Sequence, residues 1–452
     1  MKKISSSFWG ELGLLMDYKV QQSLTRNIDT QVLRVRRGRR DFKVELKANV
    51  TYELIDYIEQ YDGEILFKST QFHSILAMIS SELMENLSKR EDIFSISTPA
   101  IPIKNSINVS GGVIAHRVNQ LKSLYPNIDG TGIKIGVLSD SVNYLSQVQS
   151  SGDLPNVTVL DDLPNGTGEG TAMLEIVHDM APGAELYFAT ALHSDASFAQ
   201  NILRLVNEGC KVIVDDIFYL NEPAFEDGII AQAVNQAASQ GVAYFSSAGN
   251  VGNLYSSRGQ TWEGDYRGSG SGTVVNGYGY LDYHMFSTTP YNKIYGQPTY
   301  VSLQWSDPYN LPDSDFDLFI INSSGQVVAA STGYAQAQEG TQIPAGSGLS
   351  IVVARYYGPP KFIRVIIYGT GALQYFTKGS TSGHSTAVGA FGVGAVPQPP
   401  NSMSFVDMNL YGLVINPESF SADGPRKIYF ENGIAVTPGN FLSTGGKLRA
   451  KP

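Results

Sequence analysis

Apolar runs of strand length alternate with amphipathic helical segments through residues 105–254. The predicted strands are Ile133–Leu138, Glu185–Thr190, Lys211–Asp215 and Val242–Ser246, and the predicted helices between them are Thr171–Asp179, Ala196–Asn207 and Glu226–Ser239. Apolar strands that are separated by helices indicate a parallel sheet with helices on each side. We therefore predict an α/β fold with a doubly wound parallel sheet over this part of the chain.

A shorter pattern precedes the sheet, in residues 41–98. Its predicted elements are the strand Phe42–Leu46, the helix Tyr52–Tyr61, the strands Glu64–Lys68 and Phe72–Met78, the helix Ser81–Lys89 and the strand Ile93–Ser97. The order strand, helix, strand, strand, helix, strand is that of a ferredoxin-like split βαβ unit. Residues 41–98 are therefore predicted to form a separate module, which follows a polar leader in residues 1–40.

The composition and the hydrophobic pattern of the sequence change beyond the last strand of the predicted sheet. Residues 255–378 are rich in Gly, Ser, Tyr and Thr, and apolar residues alternate with polar ones at Val301–Trp305 and Phe316–Ile320, with turn signals and no helical period. These features predict an all-β sandwich. Residues Thr386–Val396 are again rich in Gly, Ala and Val, as the strands of the parallel sheet are. The sandwich is therefore predicted to be inserted into the α/β core, whose second part is residues 379–452.

The composition excludes several classes of protein. The 452 residues carry a net charge of −10 and are 42% hydrophobic, which argues against a nucleic-acid partner and against general disorder. The one cysteine, Cys210, excludes an internal disulfide and is predicted to be a buried structural thiol. No apolar run reaches the ~20 residues of a membrane span, and Glu11 and Asp17 interrupt any secretory signal at the start of the chain.

Three segments place functional side chains where strands end or helices begin, and the carboxyl edge of a parallel sheet is where functional groups gather. Asp140 directly follows the first strand. Glu169 stands between two glycines at the start of a helix, where the helix dipole favours an ionised carboxylate. Asn250 ends the sequence Ala-Gly-Asn after the strand Val242–Ser246 and can donate a hydrogen bond. Taken singly, Asp140 has the alternative role of a helix cap, and Glu169 that of a helix-terminal acid.

In combination these segments resemble the motifs of the subtilisin-like serine peptidases, the subtilases. The matching segments, in the order of that family, are Asp140, Gly168–Thr171, Ala181–Ala184, Ser247–Asn250, Gly392–Val396 and Ser419–Pro425. The resemblance implies that Asp140 is the acid of a catalytic triad, that residue 169 takes the place of the triad histidine, and that Asn250 is the oxyanion-hole donor. A nucleotide-binding α/β fold is disfavoured because no phosphate-binding glycine loop follows the first strand.

The residue at position 169 departs from the subtilase pattern, because it is Glu and not His. Sedolisins, which are related to the subtilases, use a glutamate at this position, and this favours Glu169 as a working base. Sedolisins take a second acid from the same helix four residues later, where this chain has Met173, and they have Asp where this chain has Asn250. The chain therefore resembles a hybrid of the two families.

Further polar residues are candidates for contact with a substrate. Asp215 and Asp216 end a strand whose counterpart in the subtilases borders the substrate groove, and the alternative is local capping. Glu175 and His178 lie further along the helix that begins at Glu169, and we expect them to be solvated or to support the site indirectly.

A metal site is the last candidate in the sequence. Asp313, Asp315 and Asp317 alternate along one strand of the sandwich and are candidates for binding Ca²⁺, the alternative being a polar face of the sheet. No other cofactor is required by the chemistry that the resemblance implies.

The resemblance implies a serine-type endopeptidase that hydrolyses peptide bonds through an acyl-enzyme. The nucleophile of the family stands in a Gly-Thr-Ser motif, which does not occur here before the chain reaches Pro452. The nearest similar segment, Gly379–Ser385, precedes a strand of the sheet, so Ser385 is expected to belong to the core. The chain as given is therefore expected to lack peptidase activity. The alternative function is that of a catalytically inactive subtilase homologue that serves as a protein- or glycan-binding scaffold.

The position of the ferredoxin-like module resembles that of the inhibitory propeptide of subtilases. The resemblance implies that the module inhibits the core within the same chain, with Thr98–Ile101 along the substrate groove, and a free-standing binding module is the alternative. The expected partners are thus a polypeptide substrate and the chain's own module.

Removal of residues 255–378 is expected to leave a folded core. The family and the insert favour an extracellular location, whereas the interrupted signal does not, so the sequence leaves localisation open.

Overall fold

The regular elements begin and end close to the bounds that the hydrophobic pattern predicts. A computed structural model describes the following residues: 33–36, 39–97, 102–104, 111–256, 259–270, 282–399, 404–410 and 416–451. The greater part of the predicted leader and the segment Thr98–Ile101 lie outside these residues.

The N-terminal part is an antiparallel sheet covered by helices. Its elements are β1 (Leu33–Arg36), β2 (Arg39–Ala48), α1 (Tyr52–Gln60), β3 (Glu64–Ser69), β4 (Ser74–Ser80), α2 (Ser81–Ser88) and β5 (Ile93–Ser97). β4 lies between β2 and β3, and β1 and β5 pair with the other edge of β2. Thr51 and Ser80 fix the starts of α1 and α2, because their hydroxyl oxygens accept hydrogen bonds from the backbone N–H groups of Leu54 and Leu83.

The predicted doubly wound parallel sheet is confirmed. The elements of this part are β6 (Pro102–Lys104), α3 (Gly112–Ala115), α4 (Val118–Leu124), β7 (Lys134–Ser139), α5 (Leu145–Ser151), β8 (Val157–Asp161), α6 (Glu169–Met180), β9 (Glu185–Thr190), α7 (Asp195–Asn207), β10 (Val212–Asp215), β11 (Ile217–Tyr219), α8 (Ile229–Ser239) and β12 (Ala243–Ser247). Strands β8, β9, β7, β10 and β12 lie side by side in this order and are parallel.

Helices cover both faces of this sheet. α6 packs through Leu174 against the face that presents Val137 and Phe188. α7 and α8 pack against the opposite face through residues such as Phe198 and Val234. Because successive side chains of a strand point to opposite faces, each strand contributes alternate residues to these two apolar layers.

The segment after β12 forms antiparallel strands. They are β13 (Thr261–Asp265), β14 (Asn292–Trp305), β15 (Asp315–Ile321), β16 (Val327–Ser331), β17 (Gln338–Gln342), β18 (Ser350–Tyr357) and β19 (Phe362–Leu373). β14 pairs with β19 over most of its length, with β17 near its end and with β18 at its start, so two layers share this strand. Trp305, Phe316 and Val365 are buried together in the interior of this region. The chain then returns to the parallel sheet as β20 (Ala390–Val393), beside β12.

The insert and the core share apolar contacts. Phe218 and Ala248 of the core are buried in one cluster with Ile366 and Tyr368 of β19. The last elements of the described chain are α9 (Phe405–Leu410), β21 (Arg426–Ile428), β22 (Phe430–Glu431), β23 (Ile434–Ala435) and β24 (Lys447–Arg449). The burial of residues from both parts in one cluster indicates that the insert is held firmly on the core.

A buried ionic group joins the same two parts. The guanidinium group of Arg426 is fully buried and pairs with the carboxylate of Glu263 on β13. Arg364 Nε on β19 lies 3.2 Å from the same carboxylate oxygen. Since a buried charge needs its partner, this group fixes the position of β13 and β19 relative to the core.

Candidate functional site

The candidate residues lie at one edge of the parallel sheet. β10 is flanked by β7 and β12, and Leu138 of β7 lies opposite Asp215 of β10. Asp140, Asp216 and Asn250 follow the three strands, and the carboxyl ends of parallel strands meet at the same edge. The sheet therefore brings these three polar residues to one side of the molecule.

Asp140 is fully buried, and hydrogen-bond donors surround its carboxylate. Oδ1 accepts hydrogen bonds from the backbone N–H groups of Glu169, at 2.9 Å, and Gly170, at 3.3 Å. Oδ2 accepts from the hydroxyl group of Thr167, at 2.8 Å, and from the N–H group of the same residue. Asp140 thus holds the first turn of α6 in place and lies directly beside the half-buried Glu169.

The two glycines around Glu169 allow this close approach. Gly168 has a φ of +83°, a left-handed conformation that glycine adopts without strain. A Cβ atom on Gly170 would lie 2.3 Å from Cε2 of Phe188 and 2.7 Å from the carbonyl oxygen of Ser141. The sequence Gly-Glu-Gly is therefore required for α6 to begin this close to β7 and β9.

Asp216 lies on the same face of the sheet as α6. Val214 packs on that face, whereas Asp215 and Ile217 point to the opposite face, as strand alternation requires. Asp216 is buried, and neither of its carboxyl oxygens has a hydrogen-bond partner among the described residues. Burial, together with the negative charge of Glu169, raises the pKa of Asp216 well above its ordinary value.

Asp215 belongs to a different group of side chains, inside the opposite face. Its Oδ1 lies 3.1 Å from Nε2 of His384, and the Nδ1 atom of His384 lies 2.9 Å from Oε1 of Glu222. The backbone N–H group of His384 also donates to Oε2 of Glu222, at 2.7 Å. Burial alone would lower the pKa of His384, but the carboxylates of Glu222 and Asp215 outweigh it and raise the pKa to about 10. His384 therefore carries a positive charge between two carboxylates.

This second group resembles a catalytic triad in composition but has no access to solvent. The hydroxyl group of Ser246 donates to Asp215 at 2.9 Å and lies 3.2 Å from Nε2 of His384. Ser246 and His384 are 1% and 0% exposed, so a peptide cannot reach them. Sequence reasoning did not find Glu222, Ser246 or His384, because no local pattern distinguishes them. We assign this group to the stability of the core.

Asn250 is partly exposed at the carboxyl edge of the sheet, whereas Ser385 is buried. Asn250 is partly exposed beyond the end of β12, in a loop that the core holds through the hydrogen bond from the hydroxyl group of Thr381 to the carbonyl oxygen of Ala248, at 2.9 Å. Ser385 is 2% exposed, and its hydroxyl group donates to the carbonyl oxygen of Ser382 at 2.9 Å. Ser385 is thus a buried residue of the turn before β20.

The remaining residues of α6 and the cysteine lie away from the edge of the sheet. Glu175 and His178 follow Glu169 by about 9 and 13 Å along the helix, at 1.5 Å per residue. Burial raises the pKa of Glu175, and the negative charges of Asp153 and Asp179 add to this effect. Cys210 is a buried free thiol whose pKa burial raises to about 12.

The acidic residues of the insert have separate surroundings. Asp313 forms an ion pair with Lys361 at 2.8 Å, whereas Asp317 is buried within the sheet. Burial raises the pKa of Asp315 to about 6. Over the described residues, no group of three or more His, Cys, Asp and Glu side chains is arranged to hold a metal ion. Ca²⁺ binding at these residues stays a prediction.

An extended segment lies along β11, next to the carboxyl edge. β6 pairs antiparallel with β11, with Pro102 opposite Tyr219 and Lys104 opposite Ile217. β11 leads away from Asp216, so the antiparallel β6 runs toward it. The N-terminal module also contacts the core through charge, since Lys47 Nζ lies 3.5 Å from Asp195 at the start of α7. None of the described helices is long and apolar enough to cross a membrane.

Comparisons with known proteins give neighbours of low similarity. A scan against protein-family models and a search of curated proteins found no match. Among solved structures, the chain is similar to the epidermin leader peptide processing serine protease (EpiP) of Staphylococcus aureus, with 13% identity and a TM-score of 0.33 over 46% of this chain and 60% of that one. The chain thus spans less than two thirds of the length of EpiP.

Two further neighbours cover more of the chain. The CspB protease of Clostridium perfringens has 11% identity and a TM-score of 0.39, over 75% of this chain and 82% of its own. Fervidolysin of Fervidobacterium pennivorans, a keratinolytic enzyme related to subtilisin, has 10% identity and a TM-score of 0.31, over 77% and 93%. At these TM-scores the neighbours carry no conclusion on function, which rests on the site itself.

Proposed function

We propose that this chain carries the acid and base groups of a subtilisin-like, serine-type peptidase site, with polypeptides as substrate. The single observation that carries the proposal is the pairing of β6 with β11. An extended peptide segment lies antiparallel along an edge of the core and runs toward Asp216, at the edge where Asp140 and Glu169 meet. This is the placement that a peptide substrate needs in order to present its next bond to those carboxyl groups.

Each group has a role that its position supports. Glu169 is the base, since it is half-buried at the start of α6 and adjacent to Asp140. Asp140 orients the base by holding the N-terminal N–H groups of its helix. Asn250 supplies a side-chain amide beyond the end of β12 as the oxyanion donor, and removal of such a donor costs about 10²–10³ in rate.

The reaction that we propose moves one proton at each step. The hydroxyl oxygen of a nucleophile bonds to the carbonyl carbon of the substrate while Glu169 accepts the hydroxyl proton, and the oxyanion is stabilised by Asn250. The C–N bond then breaks as Glu169 returns the proton to the leaving amine. Water repeats both steps on the acyl-enzyme. No serine of this sequence is assigned as the nucleophile.

The N-terminal module is proposed to inhibit this site within the same chain. β6 occupies the edge of β11 that an extended substrate would use. The ammonium group of Lys47 lies between the carboxylates of Glu45, at 2.7 Å, and Asp195, at 3.5 Å. An ion pair that bridges the module and the core favours the bound arrangement, and it is only partly exposed to solvent.

A covalent probe for activated serines tests the proposal. The protein translated from the complete reading frame that contains this chain is treated with a fluorophosphonate after removal of the N-terminal module. We expect labelling of the wild type, loss of labelling in E169Q, and full labelling in D179N, whose substitution lies on the exposed far end of α6 in the core. A folded wild-type protein that is not labelled would favour the alternative function, an inactive homologue that binds proteins or glycans.

A further inference from the structure

Asp216 presents a buried carboxyl group with unusual surroundings. The residue is 5% exposed, and its two carboxyl oxygens have no hydrogen-bond partner among the described residues. The hydroxyl group of Ser139, on the neighbouring strand β7, is fully buried and forms no hydrogen bond of good geometry in the described part of the chain, but it lies near enough to Asp216 to lower the pKa of that carboxyl group slightly, against the larger effect of burial. Buried polar groups are almost always hydrogen-bonded, so an unpaired carboxyl group at this edge indicates a function.

The direction of the Asp216 side chain follows from the register of the sheet. Asp215 lies opposite Leu138, and both residues point into the layer of α7 and α8. Asp216 is the next residue and points to the layer of α6, whose first residue is Glu169. The unpaired carboxyl group is therefore aimed at the start of the helix that carries the proposed base.

Asp140 and Asp216 differ in their hydrogen bonds. Both oxygens of Asp140 accept hydrogen bonds, from the first turn of α6 and from Thr167. A carboxyl group in these surroundings acts as a fixed acceptor for the helix. Asp216 accepts no backbone N–H hydrogen bond from the described residues, and the one donor near it is the hydroxyl group of Ser139, so the carboxyl group can hold a proton and donate it in a hydrogen bond.

We propose that Asp216 is the second carboxyl group of the site and shares a proton with Glu169, whereas Asp140 orients the helix. This proposal rests on the proposed peptidase function. The sequence position four residues after Glu169, where a second acid is expected from the sedolisin pattern, is occupied by Met173. In this chain the second acid comes from the end of β10.

The charges around Asp216 support a retained proton. The charged groups near it are Glu169 from α6, Asp140 from the end of β7 and the preceding residue Asp215, whose side chain points to the opposite face, and the hydroxyl group of Ser139 is the polar group beside it. Burial raises the pKa of Asp216 well above its ordinary value, and the three acidic neighbours, Glu169 foremost, add to this effect. A protonated Asp216 can donate a hydrogen bond to the carboxylate of Glu169, and the pair then titrates as one unit.

The proton count of the pair changes by one during the reaction. Before the nucleophile attacks, the pair holds one proton, on Asp216, and Glu169 is ionised. Glu169 takes the hydroxyl proton, so the pair holds two protons in the tetrahedral intermediate. Glu169 gives its proton to the leaving amine, and the pair returns to one proton. Asp216 is a positioning residue in this scheme, because it acts through Glu169 and does not contact the substrate.

The pH profile of peptide hydrolysis tests the shared proton. The proteins are D216A, D216N and the wild type, each translated from the complete reading frame and measured for kcat/KM against pH. We expect the acidic limb of D216A to move to higher pH by about one unit, because Glu169 loses a donor that favours its ionised form. D216N keeps a donor, so its acidic limb stays near that of the wild type. D179N, on the exposed far end of α6, is the matched control.

Two results of this measurement would overturn the proposal. An acidic limb that moves to lower pH in both D216A and D216N would mean that Asp216 is ionised and repels Glu169. Identical limbs in all the variants would mean that the two carboxyl groups do not interact.

A stability measurement on the 452-residue chain separates the proposal from the proposed function. Folded Asp216 holds a proton that an unfolded Asp releases near pH 3.9, so the wild type loses stability relative to D216N as the pH rises above about 4. D179N is expected to follow the wild type. A constant difference between the wild type and D216N would overturn the proposal, whether or not peptides are hydrolysed. If the wild type hydrolyses no peptide but its stability still differs from that of D216N in a pH-dependent way, the proposed peptidase function is wrong and the proposal of a proton on Asp216 is supported.

Discussion

Nε2 of His384 lies 3.1 Å from Oδ1 of Asp215, in the interior of the core. On its other side the imidazole contacts Glu222, so one positive charge lies between two carboxylates and none of the three side chains is more than 6% exposed. Asp215 ends β10, Glu222 follows β11, and His384 lies between the insert and β20. The positive charge of His384 therefore links three segments that are distant in sequence, on the face of the sheet opposite the candidate site.

Replacement of His384 is expected to destabilise the protein strongly. H384Q leaves the two carboxylates buried without a positive partner, and breaking a buried ion pair in this way costs about 3–5 kcal/mol. The free energy of unfolding in urea measures the loss. H116Q is the control, because His116 is exposed, and a change within about 0.5 kcal/mol is expected there. A cost below about 1 kcal/mol for H384Q would contradict a charged imidazole in this position.

The same group predicts how stability depends on pH. The pKa of His384 is about 10 in the folded chain and about 6.5 when unfolded, so the folded state binds the proton more tightly. The resulting stabilisation is complete below about pH 6.5 and is lost as the pH rises through about 10. Unfolding curves between these pH values are expected to show a decline for the wild type that H384Q lacks. Parallel declines for the two proteins would assign the effect to other groups.

The ionic group at Glu263 predicts that the insert and the core unfold together. E263Q removes the one carboxylate that Arg426 and Arg364 share, and we expect a cost of about 3–5 kcal/mol, since two guanidinium groups stay buried. E85Q is a matched control, because Glu85 forms an exposed ion pair with Lys89 whose loss is expected to leave the free energy of unfolding almost unchanged. Two separate unfolding transitions in E263Q would mean that the insert is an independent unit.

Deletion of residues 255–378 is a stronger test of the same contact. The sequence led us to expect a folded core after this deletion, but Phe218 and Ala248 pack in one buried cluster with Ile366 and Tyr368. Removal of β19 exposes this cluster and leaves Arg426 without Glu263, so we now expect a product that is not recovered in soluble form. A soluble deletant with dispersed NMR signals would restore the original expectation.

The sequence predicted the parallel sheet well, because apolar runs and helical periods record burial directly. β8 (Val157–Asp161) was missed, since an edge strand has exposed residues and no continuous apolar run. Because functional groups gather at the carboxyl ends of parallel strands, the sequence placed Asp215 and Asp216 at the correct edge of the sheet. It did not predict which face of the sheet each side chain would point to, because a shift of one residue in the strand register exchanges the two faces. Glu222 and His384 are 162 positions apart, and only the folded chain brings them together.

The contact between the N-terminal module and the core predicts a change in local opening. K47M leaves the carboxylates of Glu45 and Asp195 facing each other without a positive charge, which weakens the docking of the module. Because β6 covers β11, we expect faster amide hydrogen exchange at Ile217–Tyr219, by about fivefold or more for a loss of about 1 kcal/mol. K68M is the control, since Lys68 is exposed on β3. Unchanged exchange in K47M would show that this ion pair does not contribute to docking.

Replacement of Glu169 by histidine is expected to move the pH optimum of peptide hydrolysis upward. An unperturbed Glu has a pKa of about 4.3 and His one of about 6.5, so a carboxylate base suits a mildly acidic range and an imidazole suits a higher one. In E169H the imidazole would stand at the same helix start, beside Asp140, as in a subtilase. Protein from the complete reading frame is measured between about pH 3 and about pH 10, with E169Q as the variant that has no base at this position. We expect a mildly acidic optimum for the wild type, a shift of about two pH units for E169H, and a loss of at least about 10²-fold for E169Q. A wild-type optimum at alkaline pH, or an E169Q protein as active as the wild type, would mean that another group accepts the proton.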